Sequence, residues 1–164
     1  MNKIFLTGKT GVGKSLIIEH ILQKTSLSFG GFQTKACWRK GKIIGFNIID
    51  LATTKEKVIA AFGEKQIIVD IEGFEVLGVD AISRALKEKK LVVMDELGFM
   101  ERNAPLFQSK VWEALRSDKA VLGVLKMHTN DFLDRIRDCS FIRVLEVSEN
   151  MKEAIQKELV QVFT

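Results

Sequence analysis

Apolar residues in this chain follow two rhythms. Short, nearly unbroken apolar runs occur at 3–7, 66–71, 90–95, 120–125 and 141–147. Runs of that length without alternation are what strands covered on both faces require. Between them lie segments with helical spacing. Residues 14–24 place Leu16, Ile17, Ile21 and Leu22 on one face, 78–88 place Val79, Ile82 and Leu86, and 105–116 space Phe107, Val111 and Leu115 by four. A short helix over 130–137 and a final one over 151–162 complete the series, with Pro105 near the first turn of the third helix. Asn150 followed by Glu153 predicts a capping box for the last helix.

Residues 30–50 break this alternation. Gly30-Gly31 opens two strand-like runs, 32–38 and 42–50, that turn at Lys40-Gly41. The pattern predicts an α/β fold of three layers, a mostly parallel sheet with helices on both faces, and an antiparallel hairpin added around residues 30–50.

Length and composition narrow this picture only slightly. A chain of 164 residues suits one domain spanning 1–164. Its 46% hydrophobic and 28% charged content are those of an ordinary globular protein. The net charge of +4 comes without a long basic run or aromatic–basic interleaving, so nucleic-acid binding is not expected, whereas a small anionic ligand fits. Cys37 and Cys139 belong to no paired motif and are expected as buried, reduced thiols. The first residues run straight into a glycine-rich loop rather than a leader, and no window offers the ~18 apolar residues of a membrane span. A cytoplasmic monomer is the expectation.

The glycine-rich loop carries the chemistry. Gly8-Lys9-Thr10-Gly11-Val12-Gly13-Lys14-Ser15 satisfies the phosphate-loop pattern at every fixed position, after an apolar strand and before an amphipathic helix. Glycines let successive N–H groups turn inward on phosphate oxygens, and the helix start adds partial positive charge. Gly8 through Ser15, with the adjoining Leu16, are therefore the candidate nucleotide-binding residues, Lys14 reaching the β and γ phosphates. The fold expected is a P-loop NTPase fold.

The run Leu91-Val92-Val93-Met94 ends in Asp95-Glu96. In P-loop proteins an acid at this point helps hold Mg2+, so Ser15 and Asp95 are the candidate metal ligands. A following Glu can polarise the attacking water, which makes Glu96 and Lys14 the candidate catalytic residues. The Asp-Glu pair favours hydrolysis over a nucleotide or small-molecule kinase. A nucleic-acid-stimulated ATPase and a non-catalytic nucleotide switch remain further alternatives.

Four segments taken together resemble the THEP1-type nucleoside-triphosphatases: the loop 8–15; Gly30-Gly31-Phe32 with Ile44-Gly45-Phe46-Asn47-Ile48-Ile49-Asp50-Leu51; Ile71-Glu72-Gly73-Phe74-Glu75; and Met94-Asp95-Glu96-Leu97-Gly98 with Met100-Glu101. The resemblance implies Mg2+-dependent hydrolysis of ATP, GTP and other triphosphates to the diphosphate and phosphate, with loose base selectivity. It assigns the phosphate loop to Gly8–Ser15 and the acidic pair to Asp95 and Glu96. Where the family pattern carries charged groups after its G-G-F-x-T segment and an arginine before its G-F segment, this chain has Ala36, Trp38 and Ile43. A cation at the γ-phosphate would then come from Lys9, Lys35, Arg39 or elsewhere, and slow turnover is expected.

Other residues have plainer readings. Trp38, Trp112 and His20 are expected to be structural. His128 follows an apolar run at the sheet end where α/β proteins bind ligands. Arg102, Arg116, Arg135, Arg137 and Arg143 are expected as surface residues, and Phe29, Phe32, Phe46 and Phe74 as packing between hairpin and sheet. The segment 126–143, with Lys126, is the one stretch resembling a kinase lid.

Overall fold

The run beginning at Lys3 forms an interior strand of the sheet. The computed structural model describes residues 1–164. In it β1 (Lys3–Thr7) lies between β7 (Ala120–Leu125) and β8 (Arg143–Glu146), parallel to both. Next come β6 (Leu91–Leu97), parallel to β7, and β2 (Phe29–Arg39), parallel to β6. Beyond β2 the sheet turns antiparallel through β3 (Lys42–Asp50), β4 (Glu56–Phe62) and β5 (Ile67–Val69). The full order is β5-β4-β3-β2-β6-β7-β1-β8.

Alternate residues of each central strand feed opposite layers, as a period of two dictates. Ile4, Leu6, Leu91 and Val93 pack with Ile17, Ile18 and Ile21 of α1 (Lys14–Lys24) and Ile155, Leu159 and Phe163 of α5 (Lys152–Phe163). Phe5, Val92 and Met94 face the other side. There they meet α2 (Val79–Glu88), α3 (Pro105–Arg116) and α4 (Asp131–Arg137). Helices thus cover both faces of a mostly parallel sheet, the three layers that the pattern predicts.

Several expectations need correcting. The antiparallel hairpin expected around residues 30–50 is present as β2 and β3, but it is continuous with the parallel sheet rather than set beside it. Phe29–Gln33 pair with β6 while Phe32–Arg39 pair with β3, so one strand belongs to both parts. β4 was not foreseen, because Glu56, Lys57 and two alanines dilute its apolar signal. The run at 66–71 supplies only the three-residue strand β5. Ahead of α2 a π-helical turn, Gly73–Gly78, extends the helix backwards. Glycine has low helix propensity, yet each of the two glycines here answers to packing. A Cβ on Gly73 would lie 2.6 Å from Ile59 Cγ2, and one on Gly78 2.8 Å from the Phe107 ring.

The capping box does not form either. α5 begins after Met151 without a side-chain cap, and the N–H groups of Met151 and Lys152 donate instead to the Ser148 carbonyl at 3.1 and 3.0 Å. Side-chain capping occurs at α4, where Asn130 Oδ1 accepts from the Leu133 N–H at 2.9 Å. The two thiols are free and half-buried rather than buried. No helix is long and apolar enough to cross a membrane.

Candidate nucleotide site

β1 delivers the chain to the loop and α1 takes it away. Gly8 has φ 141°, and a Cβ there would meet the Val147 carbonyl oxygen at 2.6 Å, so both conformation and space require glycine. Gly13 caps α1 at φ 102°. The Lys14 ammonium donates to the carbonyls of Gly8 and Lys9, 2.8 Å each. Burial lowers its pKa, Glu96 and Asp95 opposing the shift and Lys126 adding to it.

The Ser15 hydroxyl donates to Asp95 Oδ1 at 3.0 Å. Asp95 is 1% exposed, and the parallel register of β2 on β6 sets Gln33 beside it, Nε2 donating to Oδ2 at 3.3 Å. Burial is the main cause that pushes the Asp95 carboxyl up to about 6, Glu96 and Glu19 adding to it and the bonds from Ser15 and Gln33 opposing it. No lysine or arginine pairs with Asp95. A buried carboxylate that lacks a counter-charge and sits beside a hydroxyl is the hard-oxygen donor set that Mg2+ takes together with waters and phosphate.

Between Asp95 and Leu97 the pairing of β6 with β7 slips by one residue, and the Asp95–Glu96 peptide is cis. The extra residue of the bulge is Glu96, partly exposed between two buried neighbours. Its Oε1 lies 3.1 Å from Lys126 Nζ. Just beyond, Glu101 is buried at 1% exposure and accepts the Gly98 N–H. Burial pushes this carboxyl up to about 7.

A cavity of about 540 Å³ opens on these groups. It is lined by Gly8–Gly11 and Gly13–Leu16, by Ala36, Ile43 and Phe46 of the hairpin, by Glu96, and by Lys126, Met127 and His128 just past β7. Of the candidate nucleotide-binding, metal and catalytic residues, Val12 and Asp95 stay outside the lining. Val12 is buried in the apolar layer, and Asp95 sits behind Ser15.

The cavity also contains groups that sequence reasoning passed over. Phe46 lines it instead of serving as packing alone, while Phe32 and Phe74 stack edge-on against Phe107 in the core. Lys126 was seen only as part of a lid segment, although its place directly after the 120–125 run was the available signal. Lys9 is the one anticipated source of a cation that reaches the lining; Lys35 and Arg39 do not. None of the five arginines considered lines it either. Arg116 and Arg135 flank Trp112, Arg137 bonds Asp134, Arg143 pairs with Glu158, and Arg102 borders a separate hollow. Trp112 is half-buried, whereas Trp38 is 65% exposed.

Several acids in the family-like segments are structural. Asp50 pairs with Arg84 and accepts the Ala52 N–H at 2.8 Å. Glu75 caps α3 by accepting the Phe107 N–H at 2.8 Å.

The chain is similar to known nucleoside-triphosphatases over nearly its whole length. A family model described as NTPase matches residues 3–160. A protein of Methanocaldococcus jannaschii named nucleoside-triphosphatase THEP1 is 35% identical, the match covering 98% of this chain and 97% of that one. The protein of the same name from Thermotoga maritima is 30% identical over 98% of this chain and 95% of its own. Among solved structures, that of a human cancer-related nucleoside triphosphatase superposes with a TM-score of 0.81 at 23% identity, covering 99% of this chain and 97% of that chain.

Proposed function

The chain belongs to this NTPase family and is a hydrolase of nucleoside-triphosphate phosphoanhydride bonds, and from that premise we propose a slow, Mg2+-dependent enzyme of loose base selectivity that works through Lys14, Ser15, Asp95 and Glu96. The observation that carries this reading is the meeting of Lys14, Ser15 and Glu96 on one cavity with Asp95 bonded behind Ser15.

The loop amides and the start of α1 bind the β and γ phosphates. Lys14 exchanges its two carbonyl partners for phosphate oxygens and stabilises charge as it develops on them. Ser15 and Asp95 would hold Mg2+, which when bound neutralises phosphate charge. Glu96 accepts a proton from the attacking water. The water oxygen bonds to the γ phosphorus, the bond from that phosphorus to the β–γ bridging oxygen breaks, and diphosphate and phosphate leave.

Loose base selectivity is supported by the lining, whose only carboxylate is Glu96 and which includes no carboxamide to read a base edge. Slow turnover is supported by the absence of arginine from it, since an arginine finger adds ~10³–10⁵ in rate elsewhere. All eight strands share one sheet, which supports residues 1–164 acting as one unit, and the free thiols support a reducing, cytoplasmic setting.

Phosphate release from a panel of triphosphates with Mg2+ tests the reading. Slow release from several, lost in both Glu96→Gln and Lys14→Ala while Glu96→Gln still binds nucleotide, is the expected result. Nucleotide binding without release by the wild type would overturn it.

A further inference from the structure

A cavity without arginine still has a cation besides those of the phosphate loop, Lys126. Lys126 Nζ stands 3.1 Å from Glu96 Oε1, both side chains about a fifth exposed at 23% and 21%. Two aromatic faces flank the ammonium, the rings of Phe46 and Phe99 at 5.8 and 5.9 Å. Its stem runs over Gly98, where a Cβ would come within 3.2 Å of Lys126 Cδ. The backbone is held on both sides. The Lys126 N–H donates to the Leu97 carbonyl at 2.9 Å, and the Lys126 carbonyl accepts from the Arg137 guanidinium, itself held by Asp134 at 2.8 Å.

We propose that Lys126 is a further catalytic residue, a cation supplied in cis that leaves Glu96 for the γ-phosphate when a triphosphate enters. The inference rests on the hydrolase reading of this same cavity. Three arguments carry it. A half-buried ammonium needs an anion, and Glu96 is the only carboxylate lining the cavity. A triphosphate brings more negative charge to that cavity than one carboxylate, so the ammonium gains by changing partner. The same exchange strips Glu96 of its counter-charge, leaving the carboxylate free to accept a proton from water. One movement therefore sets the electrostatic stabiliser and the base in place together. The aromatic faces hold the ammonium near the γ position without binding it as tightly as a second carboxylate would.

The test compares wild type, Lys126→Ala, Lys126→Gln and Lys126→Arg in phosphate release, and in calorimetric binding of a non-hydrolysable triphosphate and of the diphosphate. Thermal midpoints confirm that each variant folds. Expected is a fall in kcat of about 10²-fold in Lys126→Ala and Lys126→Gln with KM little changed. The preference for triphosphate over diphosphate should fall about tenfold while diphosphate affinity holds, and Lys126→Arg should regain part of both losses. Unchanged kcat and preference would overturn the proposal. So would a rise in kcat, which would make Lys126 a restraint on Glu96, or an equal loss of both affinities, which would make it structural. If the wild type itself releases no phosphate, the hydrolase reading fails, and the Lys126 contact is judged on the binding preference alone.

Discussion

Ser15 Oγ at the start of α1 donates to Asp95 Oδ1 near the end of β6 at 3.0 Å, although the two lie 80 positions apart. The parallel sheet brings them together by setting β1 and β6 on either side of β7. If this pair holds Mg2+, Asp95→Asn and Ser15→Ala should each raise the Mg2+ concentration for half-maximal phosphate release at least about tenfold. A Mg2+ titration of turnover reads this directly. An unchanged half-saturation in both variants would place the metal elsewhere.

Glu101 gives a pH dependence of stability. Burial moves its carboxyl from the ordinary 4.5 to about 7. The folded protein then holds the proton more tightly than the unfolded chain does. Stability from this group is full below about pH 4.5, falls as pH rises to about 7, and is level above. The loss is on the order of 3 kcal/mol. Glu101→Gln keeps an acceptor for the Gly98 N–H and has no proton to lose. Thermal unfolding of both proteins from pH 5 to 8 should show the variant gaining on the wild type as pH rises. Parallel curves would refute the assignment.

Arg84 and Asp50 form an ion pair whose acid is 2% exposed and whose base is 33% exposed. Arg84→Ala leaves a buried carboxylate with only backbone N–H donors, and should cost about 2–4 kcal/mol in denaturant unfolding. The double change with Asp50→Asn should cost less than Arg84→Ala alone. Additive losses would show that the two groups do not depend on each other.

Gly78 has helical dihedrals, so alanine meets no backbone strain there. Its Cβ would nonetheless lie 2.8 Å from two atoms of the Phe107 ring. Gly78→Ala should therefore lower stability by about 1–3 kcal/mol despite alanine's better helix propensity. A stabilised variant would mean that the ring yields freely.

The parallel strands other than β2, and both layers of helices, can be read from the sequence, because near-continuous runs such as 120–125 admit few other arrangements. The loop 8–15 and Asp95-Glu96 are visible because phosphate chemistry demands those residue types in that order. What escapes is what distant partners decide. β4 has too few large apolar residues to announce itself, and it is stabilised by lying between β3 and β5. The π-helical turn at Gly73–Gly78 opposes local propensity and answers to Ile59 and Phe107. Lys126 reads only as part of a lid-like stretch until the bulge at Glu96 brings a carboxylate to it. Asp50 and Glu75 read as family-marking acids of unassigned role, and only Arg84 and the N–H of Phe107 show that they brace the fold.

The bonds of Lys14 to the carbonyls of Gly8 and Lys9 have a consequence for how the loop meets a nucleotide. The ammonium is already solvated, by its own backbone. Nucleotide entry is then an exchange reaction in which phosphate oxygens compete with two carbonyls for the same protons. The net affinity is then the difference between two sets of bonds to one ammonium, its two carbonyls in one and phosphate oxygens in the other.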